Sequence, residues 1–185
     1  MSARRSGPQL DPDRRRRLLE ATLRVVAERG VEGVTHRAVA KAAGVPLGST
    51  TYYFESKDDL LAGAIELARE RNFATQRRTF ARMIEEGADL PRALATWVEE
   101  QAGGLRSQLV LDYRLYLAAL NRPALRGESA RWLEGITDLI REHTDAETAR
   151  VLGYLLDGIL IQAVMHDTIV LAADVEPVFR RLITS

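Results

Sequence analysis

The sequence predicts an all-α protein of about nine helices. Hardly any stretch alternates apolar and polar residues with the period of two that a half-buried strand shows, whereas a helical period runs through almost the whole chain. Start and stop signals also recur in order, with Asp, Ser or Thr ahead of periodic segments and Gly or Pro behind them. The 46% hydrophobic and 6% aromatic content is ordinary for an aliphatic-rich globular chain.

Residues 1–10 read as a basic, disordered arm that includes Arg4 and Arg5. Asp11 is placed to cap a first helix that Pro12 opens and Gly30 stops. Leu18, Leu19, Thr22, Val25 and Val26 share one side of it. Arg14, Arg15, Arg16 and Arg17 crowd its first turns against the helix dipole, a local cost that nearby phosphates would relieve and a solvated surface would tolerate. Thr35 caps a short second helix, His36 to Ala43, ended by Gly44. Pro46 opens a third, and Ser56 caps a fourth that runs to about Glu86 with Asp58 and Asp59 in its first turn. Asp89 with Pro91 starts the fifth, broken by Gly103-Gly104; LRSQLVLDYRLYLAAL makes the sixth; Asn121 and Pro123 precede a seventh that reaches about His143. Asp145 caps the eighth, AETARVLGYLLDGILIQAVMH, and Asp174 a short last one holding VEPVFRRLI. The expected domains are the arm 1–10, a helix-turn-helix domain 11–57 and a helical domain 58–185.

The net charge of zero hides an asymmetry. Residues 1–57 hold 11 Lys/Arg against 6 Asp/Glu, and the remainder 15 against 20. A basic first third suits contact with a polyanion by that part alone. With no cysteine, disulfides and thiolate metal sites are excluded, in keeping with a cytoplasmic location. The charged start is not a secretory signal, and no apolar run reaches the roughly 18–20 residues of a membrane span.

The stretch GVPLGSTTYYFESKDDLL, Gly44 to Leu61, carries five hydroxyls in a row from Ser49 to Tyr53. Two short helices with Gly44 at the corner make a helix-turn-helix candidate. Ala40 is small where the helices cross, Gly44 tolerates positive φ, and Val39, Ala43 and Val45 lock the pair. Thr50 and Tyr53 should lock the second helix, although Thr50 is polar for that task. Ser49, Thr51, Tyr52 and Tyr53 are donors and acceptors suited to base edges and phosphates. Gly48 costs about 1 kcal/mol inside a helix, which a close backbone approach to DNA would explain.

Residues 14–61 resemble the N-terminal domain of the TetR family of transcriptional regulators. The matching pieces are LLEATLRVVAERG, VTHRAVAKAAGV, PLGSTTYYF and ESKDDLL. Thr51 and Tyr53 depart from the family's usual Tyr and His, so the aromatic pair is shifted to Tyr52-Tyr53. The resemblance implies double-stranded DNA as partner. Thr35, His36 and Arg37 would hold phosphates, and Lys57 would clamp another. Leu47, Gly48, Ser49, Thr51, Tyr52 and Tyr53 would face the groove, with Tyr53 alternatively packing into the domain. Arg4, Arg5, Arg14 and Arg15 would add minor-groove or phosphate contacts. With no Arg, Asn or Gln on the third helix, specificity would lean on thymine methyls, DNA shape and the arm.

By the same resemblance the remaining residues pair subunits and bind a small-molecule effector. The eighth helix is apolar nearly all round and needs cover on more than one side, so a homodimer through residues 145–166 and 174–184 is expected. A mainly apolar pocket would draw on Phe73, Trp97, Tyr113, Tyr116, Trp132, Tyr154 and Gln162. Asp157, which interrupts the longest apolar run, is either structural or part of that pocket. The implied function is a repressor on a palindromic operator, released by a small hydrophobic or aromatic ligand. The alternative is a helical ligand-binding module without sequence-specific DNA binding. No HExxH, GxSxG, Gly-rich phosphate loop or CxxC is present, so neither catalysis, nor a metal, nor a cofactor is expected.

Overall fold

The computed structural model describes residues 12–183. Arg4, Arg5, the cap at Asp11 and residue 184 of the expected pairing segment lie outside the described residues. Among those described, nine α-helices are joined by turns: α1 Pro12–Arg29, α2 His36–Ala43, α3 Leu47–Tyr53, α4 Lys57–Glu85, α5 Leu90–Ala102, α6 Arg106–Ala118, α7 Arg126–Arg141, α8 Ala146–His166 and α9 Ala172–Ile183. The chain divides into two compact units, residues 1–64 and 65–185.

In the first unit, Leu18, Val26, Val34, Val39, Leu60 and Leu61 are fully buried. The first two turns of α4 thus belong to this core. Gly63 lets α4 approach α1, because a Cβ there would stand 2.7 Å from Leu19 Cδ2. Thr22, buried on the apolar side of α1, donates to the Leu18 carbonyl at 2.9 Å and leaves no unmet hydroxyl. Arg24 ties α1 to the end of α2 by donating to the Ala42 carbonyl at 2.9 Å.

The second unit centres on α5, which buries nine of its 13 residues. Phe80, Ile140, Leu152 and Phe179 join it in one buried cluster. The apolar sequence of α8 points to that helix as the most enclosed, but α8 buries one stripe (Ala149, Leu152, Gly153, Leu156, Leu160, Ala163) and leaves Val151, Tyr154 and Met165 exposed. By length and composition α8 is apolar enough to cross a membrane, an exception to the expectation that no segment would be. Arg106 of α6 closes the far end of α8. Its guanidinium donates to the carbonyls of Ala163 and Val164 at 3.1 and 3.3 Å and pairs with Asp167 at 2.6 Å.

The start of α9 differs from the sequence reading. The helix begins at Ala172, with Asp174 inside its first turn. Its first N–H is taken by Glu99 of α5, whose Oε2 accepts from Ala172 N at 2.9 Å. A distant carboxylate therefore replaces the local cap, and Asp174 still meets the helix dipole favourably.

Candidate nucleic-acid interface and effector cavity

The corner between α2 and α3 is set by local chemistry. Thr35 Oγ1 accepts from Ala38 N at 3.1 Å, which caps α2. Gly44 takes φ 66°, ψ 36° and its N–H returns to the Ala40 and Lys41 carbonyls, so the chain turns where a side chain would be strained. Pro46 then stands at the N-cap of α3. Thr50 is fully buried and donates to the Leu47 carbonyl at 2.7 Å. A hydroxyl satisfied within its own helix can occupy an apolar locking position. Ser56 and Asp59 cap α4 reciprocally: Ser56 Oγ accepts from Asp59 N at 3.1 Å, and Asp59 Oδ2 from Ser56 N at 2.9 Å.

This frame leaves the outer side of α3 open. Leu47 is 46% and Tyr52 49% exposed, Thr51 is exposed, and Ser49 and Tyr53 are half-buried. Thr51 donates to the Gly48 carbonyl at 3.3 Å, and the Tyr52 and Tyr53 rings meet edge to face at 5.1 Å. A Cβ added to Gly48 would meet nothing within 4 Å, so the domain itself does not demand glycine there.

The expected phosphate ligands are differently placed. Arg37 is exposed at the start of α2, beside Thr35, whose hydroxyl keeps its own proton for a further acceptor. His36 is half-buried, and its Nδ1 has no partner. Lys57 Nζ pairs with Glu32 Oε2 at 3.0 Å, so a phosphate there competes with a solvated carboxylate. Arg14 and Arg15 are exposed, with the Arg15 guanidinium 5.6 Å from the centre of the Phe54 ring.

In the second unit, α4 to α8 line a cavity that is partly open to solvent. Trp97, Tyr113, Trp132 and Asp157 line it together. Phe73 lines an adjoining cavity that shares Gln76, Trp132 and Ile136 with the first. Gly135 allows this neighbour, since a Cβ there would stand 3.0 Å from the Phe73 ring. Tyr116 lies beside Tyr113, rings 6.4 Å apart, but faces a separate groove at the ends of α6 and α7. Tyr154, 60% exposed, and Gln162, also exposed, do not line the cavity, because their phase on α8 turns them from Gly153, Leu156 and Leu160.

Tyr113 donates to the Asp157 carboxylate at 2.9 Å and to its backbone carbonyl at 3.1 Å. Burial first, and then the Asp157 charge, hold the phenol protonated, far above its ordinary range. The group that sequence reasoning missed is Asp112. It is 5% exposed and accepts from Asn72 Nδ2 at 2.6 Å and Gln108 Nε2 at 2.8 Å. Burial pushes its carboxyl up to about 7, against the opposing pull of the two amides. One signal existed: Leu109, Asp112, Tyr113 and Tyr116 follow the i, i+3, i+4, i+7 spacing of a single helix face.

A family model described as bacterial regulatory proteins, tetR family, matches residues 18–64, and a tetracyclin repressor-like C-terminal domain model matches residues 85–185. The multidrug binding protein EbrR, in a crystal structure with imidazole, is 44% identical with a TM-score of 0.84, covering 94% of this chain and 96% of that one. EbrR also has structures with ethidium, malachite green and proflavin. A TetR-family member from Streptomyces coelicolor A3 is 44% identical with a TM-score of 0.81, covering 93% of this chain and 99% of that one. The transcriptional regulator PksA of Bacillus subtilis (strain 168) is 47% identical over 64 residues, which is 34% of this chain and 31% of PksA. These relatives carry the names of regulators or binding proteins and of no enzyme. With a helix-turn-helix in its first unit and a family model over most of its second, the chain belongs to the TetR family of bacterial transcriptional regulators.

Proposed function

We propose that this protein is a cytoplasmic, homodimeric repressor that binds a palindromic operator through α3 and leaves it when a small planar aromatic effector enters the cavity. The observation that carries the DNA half is the outer side of α3, where the exposed hydroxyls of Thr51 and Tyr52 share the surface with Gly48, a glycine that the domain's own packing does not require. In this reading Thr35, His36, Arg37 and Lys57 hold phosphates. Leu47, Gly48, Ser49, Thr51 and Tyr52 face the major groove, with Tyr53 at its edge and Arg14 and Arg15 adding charge.

Pairing of two chains is supported by α8 and α9. Val151, Tyr154, Gly158, Gln162 and Met165 form one exposed stripe along α8, and Val178 and Leu182 are exposed on α9. Such a stripe on two adjoining segments suits a second copy, with Gly158 permitting close approach. A two-fold dimer would read half-sites about 34–36 Å apart, or a multiple of that.

The effector half is supported by Trp97, Trp132 and Tyr113 around one cavity, and by the aromatic dyes complexed with EbrR. A ligand leaning on α4 from that cavity would alter the spacing of the two α3 helices. A preference of a few kcal/mol for the wrong spacing is enough to release DNA. The test is selection of bound duplexes from a random library with the mass of the complex recorded. A palindrome bound by an even number of chains is expected; weak binding without enrichment rejects the regulator reading for α3.

A further inference from the structure

The cavity contains a buried carboxyl group, that of Asp112, with no cationic partner among the described residues. Asp112 is buried, and its two partners, Asn72 and Gln108, are neutral amides. Among the described residues no cationic side chain offsets its charge. A buried, ionised carboxylate without a cation is costly, so the group stays protonated or receives a cation from elsewhere. Asp157, on the opposite helix, turns a second carboxylate toward the same space, with Tyr113 as its donor. Trp97 lines this cavity, is 4% exposed, and has an indole N–H without an acceptor. Aromatic faces beside carboxylates attract a delocalised organic cation twice over, through charge and through the ring quadrupole.

We propose that the effector is a planar organic cation and that Asp112 is the group that reads its charge, while Asn72 ties that carboxylate to α4. This rests on the aromatic-effector reading above and narrows it to one charge class. The bound ion takes the place of the carboxyl proton: protonated Asp112 and the cation give a carboxylate–cation pair and one proton released to buffer. The other titratable groups lining the cavity are Tyr113 and Asp157, while α4, α5 and α7 line it with Gln76, Trp97, Gln101, Trp132 and Ile136, none of which titrates. Arg69, Arg131, Glu134 and Asp138 line the adjoining cavity. Because Asn72 sits on α4, the state of Asp112 is felt by the helix that runs on from the DNA-binding unit.

The probe is ethidium, whose charge does not change with pH. Its binding to the full-length protein is followed by fluorescence, and by calorimetry in buffers of different ionisation enthalpy. Affinity should rise about tenfold between pH 5.5 and 7.5, with proton release at pH 6 that fades by pH 8.5. Asp112→Asn should weaken binding at pH 7.5 by roughly 10- to 100-fold and flatten the pH profile. Equal affinity and an unchanged profile in Asp112→Asn would overturn the assignment and leave the aromatic cavity standing. Absence of ethidium binding in the wild type, with operator binding intact, overturns both the charge class and the cavity. Should Asp112→Asn fail to fold, proton release by the wild type decides alone: none at pH 6 rejects the proposal.

Discussion

The two units handle polar chemistry in opposite ways. The helix-turn-helix unit carries its candidate DNA-facing groups outward and satisfies its buried hydroxyls locally, as Thr22 and Thr50 do with carbonyls of their own helices. The second unit carries polar groups inward and ties several of them across helices: Asp112 to Asn72 of α4 besides Gln108 of its own helix, Asp157 to Tyr113 of α6, and the α9 terminus to Glu99 of α5. An outward surface can meet a partner without disturbing its core. An inward polar cluster already joins several helices, so a molecule that binds it acts on them together.

Substitutions can sharpen or break that contrast. The largest effect is expected from Phe80→Ala, which empties a fully buried site of the second unit and should cost about 3–5 kcal/mol in urea unfolding. Asp112→Asn comes next and depends on pH. The native carboxyl, raised to about 7 from 3.8, holds its proton more tightly than the unfolded chain, so its contribution is full at low pH and is lost as pH rises from about 4 through 7. The Asn variant should match the wild type near pH 4 and exceed it by roughly 2–4 kcal/mol at pH 8. A constant difference across that range would mean that Asp112 is ionised throughout.

Effects in the first unit should be smaller and insensitive to pH. Gly44→Ala must place a Cβ at φ 66°, for about 1–2 kcal/mol lost in thermal unfolding. Thr35→Ala removes one cap, at about 1 kcal/mol. Tyr52→Ala, on an exposed side chain, should change stability by less than about 0.5 kcal/mol yet reduce operator affinity tenfold or more. Unchanged affinity in an electrophoretic shift assay would remove Tyr52 from the interface.

Legibility in the sequence followed the same divide. The Thr35 cap, the Gly44 corner and the Ser56 start are decided by residues within four positions, and each was readable in advance. In the second unit the aromatic residues were readable as a set, but their direction was not. Trp97, Tyr113 and Trp132 line one cavity. Tyr154 turns away because it is one position from cavity-lining Gly153, and such neighbours on a helix differ by about 100°. Tyr116 shares a face with Tyr113 but lies a turn further on, at the end of α6. Asp112 was hidden by its small size between apolar neighbours. The origin of α9 was hidden because its cap comes from 73 residues away.

The moorings of α9 bear on how the chain can be shortened. Its first N–H rests on Glu99, and Arg180 near its end binds Asp89 at 2.6 Å, the residue that also caps α5. Both anchors belong to the most enclosed helix of the unit. A truncation before Arg180 therefore strips a guanidinium from the cap of α5, and one before Ala172 also removes Phe179 from the core it shares with Phe80. Fragments meant to retain the effector cavity should keep the chain at least through Arg180, while tags and fusions belong beyond it.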